Sequence, residues 1–209
     1  LIGNTVSTQQ QASSLLIEDG LIQMMMTLIQ LKNCFCSECT QSHSSEEIEL
    51  EEKNCQSFMS AALWILSNMM TIVPEILIPL IPTNFIQFIL SQANDAPVGI
   101  KREIAVFLAT CVLFFTYERV SEVFDANSDN GSVFFELMDE MISSGRNDII
   151  TRCIDALINL ALLFSNENSS SQDTSHISYL LTMIDQNGIM NDLEVLMVEG
   201  DSIAKRATA

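Results

Sequence analysis

Trp64 and Asn68 stand four residues apart in Ala62-Leu63-Trp64-Ile65-Leu66-Ser67-Asn68, so a helix through this stretch would place them one turn apart on one face. That pairing can do chemistry. A side-chain amide offers donors and an acceptor, so Asn68 can hold the N–H and the C=O of an extended peptide together. An indole one turn away is a flat apolar wall for Lys or Arg stems, with cation–π attraction of roughly 0.5–1 kcal/mol at an exposed site. A nearby carboxylate would then catch the charged ends. Trp64 can also be a plain core aromatic, Asn68 and Asn159 plain helix residues, and Glu103 beside Arg102 a solvated charge.

A second set of residues points to metal chemistry. Cys34, Cys36, Cys39 and His43 offer soft ligands, but their spacing is irregular and no second Cys-x-x-Cys pair follows. We expect no metal and no cofactor. The acidic run Glu46, Glu47, Glu49, Glu51 and Glu52 reads as a solvated loop that competes for basic peptides at most. Catalysis is not expected. There is no Gly-rich phosphate cradle, neither His43 nor His176 has an evident nucleophile partner, and the acidic residues show no paired-carboxylate signature.

The elements that would position these residues follow from composition and period. The chain has 209 residues, 48% of them hydrophobic, with only 7 Gly and 4 Pro. Many Leu, Ile and Met with few turn formers favour helices throughout, hence an all-α fold. Four similar openings combine turn or cap residues with an apolar helical run: Glu18-Asp19-Gly20-Leu21-Ile22, Pro82-Thr83-Asn84-Phe85-Ile86, Asp129-Asn130-Gly131-Ser132-Val133 and Gln186-Asn187-Gly188-Ile189-Met190. Longer helices are expected over 56–70, 100–115 and 148–164. In the last, Ile150, Cys153, Ile154, Leu157, Leu160, Ala161 and Phe164 form an apolar stripe at helical period, with Arg152, Asp155 and Asn159 on another face. Asn68 and Thr110 hold matching places 42 residues apart, and Asn159 follows after 49. Periods near 40–47 with two or three helices suit armadillo or HEAT repeats, which cover their apolar faces by stacking. The expected organisation is one solenoid over 1–209 of about four to five repeats, the first and last partial. Polar, turn-rich residues 33–53 and 165–175 are expected as flexible loop insertions.

The details beyond periodicity resemble the importin-alpha family. Ala62-Leu63-Trp64-Ile65-Leu66-Ser67-Asn68 resembles the third-helix motif, Trp then Ser-Asn. Lys101-Arg102-Glu103-Ile104-Ala105-Val106 resembles its Lys-Glu-Ala-Ala-Trp run, Asp155 to Asn159 the next repeat, and 186–209 the last. Gly3-Asn4-Thr5-Val6-Ser7 with Gly20-Leu21 resembles a repeat opening. The resemblance implies an armadillo-repeat right-handed superhelix whose third helices line a concave groove for basic nuclear-localisation signals. This chain would carry the minor-site half, with Asn4, Val6, Ser7, Trp64, Asn68, Glu103, Thr110 and Asn159 at peptide positions. It further implies importin-beta bound through a segment outside this chain, a nuclear export receptor at the carboxy-terminal repeats, and shuttling between cytoplasm and nucleus. A non-transport armadillo scaffold is the alternative. The motif is incomplete: Val106 stands at the next Trp position, Thr110 at the next Asn position, and Ala61 and Gln10 where carboxylates are usual.

Charge narrows the partners further. A net charge of −18 repels nucleic-acid phosphates and anionic lipid, and attracts cationic peptides. The longest apolar run, 104–115, is too short to span a bilayer and reads as a buried helix. Six cysteines without a disulfide framework suggest a reducing compartment, cytosol or nucleus. The chain opens on Leu1-Ile2-Gly3-Asn4 as if inside an element, so a fragment is expected and a missing leader carries little weight.

Overall fold

The computed structural model describes residues 20–38, 45–124, 130–143, 146–168, 175–195 and 198; among them there are helices and turns but no strand. The protein is therefore predominantly helical, as the composition requires. All four openings fall at helix starts. Gly20 (φ 57°) and Gly188 (φ 75°) take the left-handed conformation directly before a helix, a geometry an L side chain resists. Thr83 and Asn130 begin helices outright.

The chain forms two compact units, Leu1–Phe115 and Thr116–Ala209. In the first, α1 is Leu21–Glu38, α2 Ser45–Ile72, α3 Pro74–Leu77, α4 Thr83–Ser91 and α5 Val98–Phe114. Helix α1 buries Leu21, Ile22, Met25, Met26 and Ile29, an i, i+4, i+8 stripe, against α2. Helix α2 buries Leu63, Leu66, Met69 and Met70. It stops at Ile72 because Pro74 follows: proline lacks an amide hydrogen and crowds the residue before it out of helical geometry. The chain then turns by 118° between Gln56–Ile72 and Pro74–Leu80. By length and composition alone that bent pair is long enough to be a broken membrane span, but it buries Leu63, Leu66, Met70 and Leu77 inside the unit. Among the described residues no single helix is long and apolar enough to cross a membrane.

Helix α5 is the centre of this unit. Every residue from Ile104 to Val112 except Val106 is buried, so the helix is covered on nearly all sides, chiefly by α2 and also by α4. Phe107 and Phe85 of α4 meet in a T-shaped arrangement with centroids 6.2 Å apart, which the aromatic quadrupole favours.

In the second unit α6 is Tyr117–Val123, α7 Asn130–Ile142, α8 Asn147–Asn168 and α9 Ser175–Gln186, with a further helical stretch over 189–195. Thr116 caps α6 by accepting from the Arg119 amide, and the Asn130 side-chain amide donates to the Val123 carbonyl at 3.3 Å, tying the start of α7 to the end of α6. Phe134 packs between Phe124 (4.9 Å) and Phe135 (5.4 Å), and Tyr117 meets Phe164 edge-on at 5.9 Å. Gly131 is buried where α9 crosses α7: a Cβ there would land on the Tyr179 hydroxyl and lie 3.0 Å from its ring carbon Cζ.

Three expectations change. The stretch expected as a loop over 33–53 is helical at 33–38 and again from Ser45, because its Leu, Glu, Lys and Gln content supports helix as readily as loop; 39–44 lie outside the described residues. The second expected loop loses its first residues to α8, which continues to Asn168, and its last to α9, which begins at Ser175. The apolar stripe of α8 is rotated: Ile149, Ile150, Cys153, Ala156, Leu157, Leu160 and Phe164 are buried, whereas Ile154 is only half-buried. A stripe wider than one seam left the centre of the buried arc undetermined by period alone.

Near the end of α7, burial and the neighbouring Asp192 carboxyl hold Asp139 above the usual carboxylate range, while the Ser143 hydroxyl donates to Asp192. Asp139 Oδ1 is buried with no hydrogen-bond partner among the described residues. A carboxyl raised in the folded state binds its proton more tightly there than when unfolded. Its stabilising contribution is therefore full below the ordinary carboxylate range and is lost as pH rises through the raised value. We expect Asp139→Asn to raise the thermal midpoint at neutral pH and to flatten its fall between mildly acidic and neutral pH. A parallel pH profile in wild type and variant, measured by circular dichroism, would show that Asp139 is not held above the usual carboxylate range.

Candidate functional site

The Trp64–Asn68 pair is built by α2. That helix buries the 63, 66, 70 side and turns the 57, 61, 64, 68, 71 side outward. Trp64 is 41% exposed, too open for a core aromatic, and Asn68 is half-buried one turn further on the same face. Two neighbouring hydroxyls are engaged by the helix itself: buried Ser67 donates to the Leu63 carbonyl (2.9 Å) and Thr71 to the Ser67 carbonyl (3.1 Å). The face thus presents an indole and an amide, with the neighbouring hydroxyls taken up by the backbone.

Thr110 does not join it. Its relative exposure is 0%, and its hydroxyl donates to the Val106 carbonyl at 2.6 Å. The expectation that it touches a bound peptide is therefore corrected: α5 is enclosed at this level, and a short back-bonded hydroxyl is how a polar residue survives there. Val106 is half-buried, the one residue between Ile104 and Val112 that reaches the surface. Glu103 is half-buried on α5 and already has an interaction partner within the chain, as does the half-buried Asn159. Asn159 lies on α8 in the second unit. Asn4, Val6 and Ser7 lie outside the described residues. What the structure brings together is thus Trp64 with Asn68 on one helix, in a unit that also contains Glu103.

The described residues contain no group of His, Cys, Asp and Glu side chains able to hold a metal ion. The side chains of Cys34, Cys36, Cys39 and His43 lie outside the description. Cys111 and Cys153 are both buried. Burial pushes the Cys153 thiol up to about 12, against the opposing pull of Arg152, so it is a core residue and not a nucleophile.

The sequence reading passed over the outer side of α8. Ile158 and Leu162, four residues apart, are 52% and 55% exposed. The signal was present as a second apolar i, i+4 pair, but it was masked by the stronger stripe assigned to the core.

No family model, no curated protein and no solved structure matches this chain.

Proposed function

We propose that this chain is an armadillo-type helical-repeat adaptor of the importin-alpha kind, which holds basic, extended nuclear-localisation peptides on the α2 face. The observation that carries this reading is Trp64 exposed beside Asn68, one turn apart on the same face. An indole left 41% open offers a flat apolar wall to cationic stems. The net charge of −18 supports the same ligand class by drawing Lys/Arg-rich segments toward the surface. On this reading the partners are cargo proteins, importin-beta through a segment outside this chain, and an export receptor at the carboxy-terminal repeats, with shuttling between cytoplasm and nucleus. The second reading, a non-transport scaffold, is favoured by the burial of Thr110 and by Val106 where a second Trp would stand, since both leave the array with one wall and one clamp.

Trp64 is the only tryptophan in the sequence, so its fluorescence reports on this face alone. Titrating a Lys/Arg-rich peptide should shift its emission, with an affinity that falls steeply as salt is raised. Asn68→Ala should weaken binding roughly ten-fold, the equivalent of one lost hydrogen-bonding clamp. An unchanged emission spectrum at saturating peptide, or equal affinity in the Asn68 variant, would remove the α2 face as the binding site.

A further inference from the structure

Helix α8 carries a second stripe on the side opposite its core residues. Thr151, Asp155, Ile158, Leu162 and Ser165 follow one another at helical spacing, and all five are exposed. The outer face of an ordinary surface helix is polar. Here two branched aliphatic side chains a turn apart, Ile158 and Leu162, stand more than half open to water, and Asp155 borders them. The same pairing recurs in the elements that follow: exposed Leu181 has exposed Asp185 one turn on, and exposed Met190 has exposed Glu194. Asp155, Asp185 and Glu194 have no ion pair among the described residues.

We propose that the outward face of α8 is a docking surface for an amphipathic helix of another protein whose apolar stripe is flanked by Lys or Arg. The apolar pair needs an apolar counterpart, which a wholly polar basic peptide lacks. The i, i+4 spacing of Ile158 and Leu162 matches the repeat of residues along a helix laid against it. The bordering carboxylate selects the sign of the partner's flanks. A second copy of this chain would bring the same carboxylates and a charge of −18 to the contact, and an anionic lipid surface would be repelled in the same way. This surface is on the second unit and does not depend on the reading of Trp64 in the first.

The test uses the full chain and a fluorescein-labelled synthetic helix with Leu at i, i+3, i+4 and i+7 and Lys at the flanks, alongside the same peptide with Glu at the flanks. The Lys peptide should bind. Ile158→Ser with Leu162→Ser should weaken it about ten-fold or more, because both side chains leave the contact. Asp155→Lys should weaken it further at low salt than at high salt. Trp64→Ala should leave it unchanged, which separates this surface from the α2 face. Both substituted aliphatics are exposed, so circular dichroism should show an intact fold. Equal binding of the Glu peptide, undiminished binding by the double variant, or a loss in Trp64→Ala instead would overturn the proposal. So would a dimer, or sedimentation with phosphatidylserine vesicles, that the double variant abolishes.

Discussion

Phe107→Ala is expected to destabilise the first unit by about 3–5 kcal/mol, the range for truncating a buried aromatic when its surroundings collapse only in part. Phe107 has no exposed surface, sits in the middle of the enclosed helix α5 and gives the edge contact with Phe85. Removing it takes a ring out of the junction between α4 and α5 and leaves a cavity beside the buried Phe85. Trp64 belongs to the same unit, so urea unfolding followed by its fluorescence reads this directly. The denaturation midpoint should fall sharply with the slope retained. Val106→Ala, the adjacent substitution at the half-buried position, should cost about 1 kcal/mol or less. Comparable losses at the two positions would mean that α5 is not enclosed as described.

Cys153→Asp is expected to unfold the second unit or to cost it more than about 3 kcal/mol, since it places a carboxylate at a site with no exposure, where the pull of Arg152 offsets only part of the cost of burial. Ile154→Asp, one residue further along α8, should cost distinctly less, because that position is half-buried and the charge can reach water. Thermal unfolding followed by circular dichroism gives both numbers. The comparison fixes the rotational phase of α8: a larger loss at Ile154 would return the buried arc to where periodicity alone put it.

The helical class was legible from simple causes: scarce Gly and Pro, apolar residues at helical period, and Gly20 and Gly188 placed where only a left-handed residue fits. The face of α2 was legible too, because a Trp and an Asn four apart share a side of any helix. Depth was not. Thr110 occupies the place in α5 that Asn68 occupies in α2, yet one is enclosed and the other reaches water. Which helix of a helical unit is covered on nearly all sides depends on contacts between distant segments, and a local pattern holds no information about them. Thr110→Asn, which would put the residue type of Asn68 into α5, places a larger amide in a space already filled, so it should destabilise the unit. The helices replacing the expected loop over 33–53 show the same limit in another form. Cys, Ser and Glu clustered together suggested irregular chain, but Glu and Leu are good helix formers when a neighbouring helix continues through them.

The enclosure of α5 also governs how the first unit comes apart. In a stack whose units touch only their neighbours, an end repeat can open while the rest stays closed. Here α2 and α4 both rest on one central helix, so neither can leave without exposing it. The backbone amides from Ile104 to Val112 should therefore meet solvent only when the unit opens as a whole, and native-state hydrogen exchange is expected to find them the slowest of this half of the chain. A protease acting on the native protein would find its first openings elsewhere. An intact peptide spanning α5 would be the last to disappear from the digest.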